Sequence, residues 1–498
     1  MKAMIAKGVT PLLAALLLTA CAAPEFKQPH VETPAAFKEP QRYTAPEGVV
    51  TAADGTRWQQ AHPAEQQARG EWWLAFNDPS LTALIKEATD ANANLAVAAA
   101  RVKQARDIAG IAEADRIPQI GIAGGVQRGQ HSPAELALPP GTPTHPGDTY
   151  TARLTASYEV DLFGRVSSNV AAARNDAATV EANYRSVLLS LQADVAQTYF
   201  KLRATDAELD TVNAAVRLRE ENVRVNQRRF ELGDIGEFDF SRAQTELATT
   251  RAEAIGLQRQ RANAEHALAV LLGKPAAAYS AGPSPLLDSA LMPVIPAGLP
   301  SSLLERRPDI AAAQKTMEAA NARIGVARSA MFPALTLGAS AGGVASGWGD
   351  VFSTTGKSWL LGALLSAPII DGGRNNANIA RSEAALEESV ASYRQVVLSA
   401  FAEVEDNLAG LRVLGGQTVR IDEALVSARR SADLAQKLYD AGRNSYLDLI
   451  EAQRNLLTVE RTAVQLRSNR ALTTVALIRS LGGSWDQPSV APQTIAAR

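Results

Sequence analysis

A chain of 498 residues in which 50 Lys and Arg face 52 Asp and Glu has a formal charge of −2, so it carries no basic footprint for nucleic acid. Its five histidines, His30, His62, His131, His145 and His266, are scattered without metal-ligand spacing, and a single cysteine excludes an intrachain disulfide. No nucleophile motif of the Gly-x-Ser-x-Gly kind sits at a strand-to-helix turn, which argues against an enzyme.

Residues 1–20 read as a signal peptide. Lys2 and Lys7 precede an apolar run, Leu12 to Leu18, that is too short to span a bilayer as a helix. The run ends Leu18-Thr19-Ala20-Cys21, which resembles the bacterial lipobox. That resemblance implies cleavage before Cys21, a thioether-linked diacylglyceryl group on its sulfur and an acyl chain such as palmitate on its amine. By the same resemblance, Ala22 rather than Asp in the next position implies sorting to the outer membrane. The other reading is a plain signal peptide with an incidental cysteine. Several acyl chains, at about 0.8 kcal/mol per buried CH₂, make a firm anchor. No cofactor beyond this covalent lipid is expected.

Residues 21–78 form an N-terminal tether and equatorial segment. Up to about Gly70 it is rich in Pro, Ala, Gln and Thr without a sustained period, as an extended wrapping strap is. Trp72, Trp73 and Phe76 are expected to pin it onto the body of the protein.

Residues 79–273 are a first structural repeat: a helix over Pro79 to Arg116, a β-hairpin over 117–161 and a long helical hairpin over 165–273. In the β-hairpin Tyr150, Ala152, Leu154, Ala156, Tyr158 and Val160 alternate with polar residues, and Ile120, Ile122 and Val126 do so more weakly. The stretch after Gly164 is free of proline up to Pro275. Its apolar positions Tyr184, Leu188, Leu191, Val195, Tyr199 and Leu202 follow coiled-coil spacing. One interruption, Phe230-Glu231-Leu232-Gly233-Asp234, fits a left-handed glycine cap between two helical arms. The longer arm, about 65 residues, would span roughly 100 Å.

Residues 274–303 are a linker with Pro275, Pro283, Pro285, Pro293, Pro296 and Pro300. Residues 304–482 then repeat the first half: a helix, a β-hairpin over 333–370 and a helical hairpin over 374–482. Gly110, Ala112 and Pro118 recur 215 positions later as Gly325, Ala327 and Pro333; Gly164, Tyr184, Gly233 and Gly273 recur 209 positions later as Gly373, Tyr393, Gly442 and Gly482. In the second β-hairpin Leu335, Leu337 and Ala339, then Trp359, Leu361, Ala363 and Leu365, form the apolar sets. The second helical break is Tyr439-Asp440-Ala441-Gly442-Arg443, after which Ser445-x-x-Asp448 reads as a capping box. Residues 483–498 are a polar tail. Four strands with one apolar face suit a membrane β-barrel, yet they leave two open edges that lipid does not tolerate, so the chain must oligomerise.

Glu71-Trp72-Trp73 with Asn77-Asp78-Pro79, Asp161-Leu162-Phe163-Gly164-Arg165, Arg306-Arg307-Pro308-Asp309-Ile310, Phe332-Pro333, Asp371-Gly372-Gly373-Arg374 and Tyr439-x-x-Gly442 resemble the outer membrane factor family, the TolC/OprM-like efflux channels, and within it the lipoprotein branch. The resemblance implies a mainly α protein with a β-barrel part. Long αα-hairpin coiled coils would form a periplasmic tube, and four transmembrane strands from each of three chains would complete a twelve-stranded barrel. It implies a homotrimer in outer membrane lipid. Its partners would be a periplasmic adaptor (membrane fusion) protein and an inner-membrane pump of the resistance-nodulation-division class. The function implied is a passive exit duct for small molecules such as drugs; the alternative is a structural coiled-coil outer membrane lipoprotein without channel activity. Gly233, Asp234, Gly442 and Arg443 would mark the periplasmic tip that meets the adaptor. Glu231, Tyr439, Asp440 and Arg443 are the candidate gate.

Replacing the lipidated residue tests the two membrane attachments separately. Cys21→Ala is expected to lose metabolic lipid label while the protein stays in the membrane fraction through its strands; a folded, wholly soluble Cys21→Ala monomer would contradict the strand reading.

Overall fold

A computed structural model of the chain describes residues 71–286, 291–295 and 306–483, with short pieces at 26–27, 34, 37–38, 49–51 and 57–60. The described residues group into two compact units. One takes in Arg101–Glu181 and Ala312–Arg394, the other Val31–Ala100, Ala182–Ala311 and the chain from Gln395 on. Among the described residues no helix is long and apolar enough to cross a membrane.

The helices are α1 (Pro79–Ala91), α2 (Ala93–Ala114), α3 (Arg165–Glu231), α4 (Glu237–Leu271), α5 (Pro308–Ser329), α6 (Arg374–Asp440) and α7 (Tyr446–Ser480). The duplication is preserved residue for residue: α3 and α6 each hold 67 residues, α4 and α7 each hold 35, and α2 and α5 each hold 22. One expectation is corrected. The first short helix is not continuous over Pro79 to Arg116, because Asn92 takes an extended conformation (φ −69°, ψ 123°) between α1 and α2. Its side chain accepts from the Leu95 N–H (3.1 Å) and donates to the Leu271 carbonyl (2.9 Å), so it caps a new helix and ties it to the end of α4.

The first unit holds a four-stranded antiparallel sheet, β3 (Gln119–Gly129), β4 (Gly147–Val160), β6 (Ala334–Ala345) and β7 (Lys357–Ser366), in that order. The β4–β6 pairing joins the two halves of the chain. Cross-strand partners share a face, and the register puts Ile122, Leu154, Ala341 and Trp359 in one row and Ile120, Ala156, Ala339 and Leu361 in the next. Ile122, Trp359 and Leu361 are 88%, 80% and 74% exposed, so among the described residues nothing covers them on this face. On the opposite face stand Thr151, Thr155, Ser157 and Thr336. Leu360 and Leu364 break the alternation there, because β7 is apolar on both sides. Ser340, the serine of a Gly-x-Ser-x-Gly match, lies mid-strand opposite Thr155 and Leu360, not at a nucleophile turn. β7 stops at Ser366, four residues short of the expected hairpin end at 370, ahead of Pro368.

The loop between β3 and β4 covers 130–146, that between β6 and β7 covers 346–356, and the six-residue difference equals the difference between the two repeat shifts. At the strand-to-helix joints Asp161 accepts from the Val166 (3.0 Å) and Ser167 (2.8 Å) N–H groups, and Asp371 from Gly373 and Asn375 (both 2.9 Å). Partial burial pushes the Asp161 carboxyl up, but these donated bonds and Arg165 outweigh it and hold it below the usual range. Both aspartates therefore cap helix starts, as their spacing predicts.

In the second unit β1 (Val49–Thr51), β2 (Arg57–Gln60) and β5 (Leu291–Val294) form a small sheet that the sequence pattern does not disclose. The tether thus contributes two strands and pairs in parallel with the Pro-rich linker. A 3-10 helix at Trp72–Phe76 buries both tryptophans and Phe76, whose ring lies 5.1 Å from that of Phe200 on α3. Asp78 caps α1 and also accepts from the Tyr199 hydroxyl (2.7 Å); burial first, then this carboxylate, pushes that phenol up to about 12. The linker is clamped by Asp206, which accepts from Arg203 (3.1 Å), Arg261 (2.6 Å) and the Ser284 N–H (3.0 Å).

The sheet makes a direct test. With the Leu361 face turned to lipid, Leu361→Arg is expected to cost roughly 2–4 kcal/mol and lower the yield of membrane-assembled protein, whereas Thr155→Arg on the other face is tolerated. Equal yields of the two variants on detergent-extracted gels would invert or cancel the face assignment.

Candidate tip and hairpin seam

The two turns between helical arms, α3–α4 and α6–α7, both close on a left-handed glycine. At Gly233 (φ +79°) the N–H of Asp234 reaches the Arg229 carbonyl (2.8 Å), and at Gly442 (φ +64°) the N–H of Arg443 reaches Leu438 (2.8 Å). A side chain at either position strains the backbone, although it meets no neighbouring atom. The expected capping box is present: the Ser445 hydroxyl accepts from the Asp448 N–H (3.2 Å), and the Asp448 carboxylate accepts from the Ser445 N–H (3.2 Å). The first turn has only Gly236 at the same place, without a side-chain cap.

The predicted tip residues divide into two groups. Glu231, Gly233, Asp234, Asp440, Gly442 and Arg443 are exposed. Glu231 accepts from Gln227 Nε2 (3.1 Å), and Asp440 from Gln436 Nε2 (2.9 Å). Tyr439 is different, because it lies in the packing between the hairpins at 8% exposure rather than on a surface. Its hydroxyl donates to Asn226 Oδ1 (2.8 Å) and accepts from Arg229 (3.0 Å), whose guanidinium lies 5.3 Å from the centre of the ring. Tyr446 packs beside it, rings 5.7 Å apart, and burial first, then Tyr439, pushes its phenol up to about 12. Cys21 lies outside the described residues.

Behind the turns runs a polar seam that pattern reading misses. Asn222 donates to Gln453 (3.0 Å), and Gln453 to Gln436 (3.2 Å). Further along, Glu246 on α4, 5% exposed, accepts from Arg454 on α7 (2.9 Å from Nε) and lies 3.9 Å from Arg219 on α3. Burial pushes the Arg219 guanidinium down. One heptad on, Arg461 bridges Glu208 (2.6 Å) and Glu253. These groups sit on the inner faces of coiled-coil arms, where the heptad expects Leu or Ala. A polar residue at such a place is the one signal of a register-setting contact the sequence offers. A groove of about 360 Å³ runs alongside, lined by Leu218, Ala432, Gln436, Gln453, Leu457 and Glu460. Among the described residues no group of His, Cys, Asp and Glu is placed to hold a metal.

What this arrangement offers is interlocked helical hairpins with a charged end. The profile of the family described as outer membrane efflux protein matches residues 84–274 and 299–483. The cation efflux system protein CusC of Escherichia coli is 31% identical over 96% of this chain and 98% of its own length. The solvent efflux pump outer membrane protein SrpC of Pseudomonas putida is 32% identical over 95% of this chain and 98% of its own. The solved open-state MtrE outer membrane channel of Neisseria gonorrhoeae superposes with a TM-score of 0.78 at 27% identity, covering 93% of this chain and 98% of that one.

The Tyr439 hydroxyl is the most economical probe of the seam. Tyr439→Phe leaves Asn226 and Arg229 without their partner and is expected to cost about 1–3 kcal/mol, read as a lower unfolding midpoint; an unchanged midpoint would show that the hydroxyl does not join the hairpins.

Proposed function

Because this chain belongs to the outer membrane efflux protein family and is the outer membrane channel of an efflux system, we propose that three copies close one duct whose tip docks a periplasmic adaptor. The open edges of β3 and β7 support the number. A four-stranded sheet with a bare apolar face cannot rest in lipid, and three such sheets supply a barrel of ordinary size. The inner-membrane partner in this reading is a pump of the resistance-nodulation-division class, and Cys21 carries the lipid anchor. The cargo class is left broad by the relatives themselves: one is named for cations and another for solvents, at nearly equal identity to this chain. A passive duct is wide and wettable, and its selectivity belongs to the pump that loads it.

The gate of this duct lies at the two turns. Asp440 and Arg443 flank Gly442 and are exposed. Three-fold symmetry would bring three Asp440 carboxylates around one axis, a ring that attracts cations. Each exposed pairing with Arg443 of a neighbouring copy is worth about 0–1 kcal/mol, so several act together and an adaptor can release them. Tyr439 acts in this reading as a strut behind the turn. The observation that carries the proposal is the pair of equivalent, glycine-capped, charged turns at the ends of equal-length arms. In planar bilayers Asp440→Ala with Arg443→Ala is expected to raise resting conductance and reduce cation preference; intact trimers with unaltered conductance and selectivity would move the gate elsewhere.

A further inference from the structure

The loop between β6 and β7, residues 346–356, is a folded unit at the end of the sheet away from the helices. The Val344 N–H donates to the Gly356 carbonyl (2.8 Å) and closes its base. Inside it the Asp350, Ser353 and Gly356 N–H groups donate to the Gly347, Asp350 and Ser353 carbonyls in turn (3.1, 3.0 and 3.2 Å). Val351, in its middle, is buried. A side chain on Gly343 would run into the Val351 carbonyl, so the loop lies against the face of β6 that Gly343 presents. The register puts Gly343 on the face of Ala339, Ala341, Trp359 and Leu361, which is the apolar one. Trp348 agrees: its ring meets that of Tyr150, on the same face of β4, edge-on with centres 6.0 Å apart. The loop therefore folds down the lipid-facing side of the sheet.

What the loop carries there is mixed chemistry. Trp348 and Phe352, with ring centres 6.2 Å apart and planes at 84°, are 57% and 72% exposed. Asp350 stands between them in the chain and is exposed. Lys357 pairs with Gly343 across β6 and β7, so it shares this face beside the folded loop. It is exposed and takes no ion-pair partner among the described residues. Toward the helices the same face continues as the uncharged rows of Trp359, Leu154 and Ile122, then Leu361 and Ile120. A girdle of interfacial aromatics accounts for Tyr158 and Trp359 on the strands. It calls for neither a cation beside a carboxylate nor a loop folded back to carry two rings.

Each of these groups has a counterpart in one kind of lipid. An exposed ring packs against the C–H face of a sugar. A carboxylate accepts from sugar hydroxyls, and an ammonium on a flexible stem takes a phosphate as a point charge. A simple anionic phospholipid uses only the ammonium, and Asp350 repels its phosphate. A phosphorylated sugar uses all of them, and acyl chains attached to it run on over Trp359 and Leu361. We propose that the 346–356 loop and Lys357 hold the phosphorylated sugar headgroup of an outer-leaflet glycolipid, with its acyl chains laid along the apolar face of the sheet. Such a lipid ties the end of each sheet to the leaflet that faces outward, so the seat of the protein in the membrane depends on the composition of that leaflet. The inference rests on the lipid-facing reading of this face.

Native mass spectrometry of the full-length protein in detergent tests the site. The lipids added, with matched acyl chains, are a diphosphorylated acyl-glucosamine disaccharide, the same disaccharide without phosphate, and phosphatidylglycerol. Wild type is expected to retain the diphosphorylated glycolipid in preference to both others. Lys357→Gln is expected to weaken that lipid about tenfold, the worth of one contact to a charged group, and to leave the phosphate-free glycolipid unchanged. Lys357→Arg keeps the charge and is expected to keep the preference. Phe352→Ala is expected to weaken both glycolipids and to leave phosphatidylglycerol as it was. Wild type that retains phosphatidylglycerol as well as the diphosphorylated glycolipid overturns the site, and so does a preference that survives both Lys357→Gln and Phe352→Ala. The two readings fail separately. A sheet that tolerates Leu361→Arg as well as Thr155→Arg overturns the lipid-facing face and the site with it; a sheet that rejects Leu361→Arg but shows no glycolipid preference overturns the site alone.

Discussion

The Glu246 carboxylate, buried between Arg219 and Arg454, is the contact on which the arrangement of the hairpins depends. Four long helices with heptad faces bury nearly the same apolar surface if one hairpin slides past the other by seven residues. Leucine and alanine do not forbid that slip. The buried carboxylate does, because a displaced Glu246 loses Arg454 of the other hairpin while its desolvation remains. Their contribution is register more than stability, the role a polar residue plays at a core position of a coiled coil. The Arg461 bridge one heptad on and the Asn222, Gln453 and Gln436 relay repeat the instruction. The turn at Gly442 is then tied to the first hairpin through Tyr439, whose hydroxyl donates to Asn226 and accepts from Arg229.

The sheet solves a different problem with the opposite chemistry. Its bare face and two open edges are liabilities in water and become assets only in a closed, lipid-facing ring. Where β4 and β7 lead into α3 and α6, Asp161 and Asp371 cap the helix starts. Efflux through such a body needs no catalytic group. It needs walls that do not bind, a route that stays shut at rest, and attachment to a partner that supplies energy.

Much of this was legible in the sequence because the signals are periodic and local. The proline-free stretches, the recurring glycines and the alternation around Leu154 and Leu361 specify hairpins, turns and strands without any knowledge of partners. What escaped is what depends on distant residues. The Asn92 break sits in an alanine-rich stretch and is stabilised by a carbonyl 179 positions later. The strands at Val49–Thr51 and Leu291–Val294 are too short to show a period, and their shared partner is Arg57–Gln60. Tyr439 beside Gly442 reads as a turn residue; its burial is created by Asn226, 213 positions away. The seam was written in residues such as Gln453 and Glu246 that a helical wheel records only as imperfections.

The loops between paired strands carry a consequence for how the two halves have diverged. The helical arms have kept their lengths to the residue, and so have the short helices, while the whole difference in spacing falls between β3 and β4 on one side and β6 and β7 on the other. Inserting one residue in an arm would shift every later contact by about 100° around the helix and unseat a ladder of ions. Inserting six in a hairpin tip disturbs only the tip. The duplicated gene therefore had one place free to drift, the ends of its β-hairpins, and selection could vary there what the cell shows to its surroundings without renegotiating the fit of the arms.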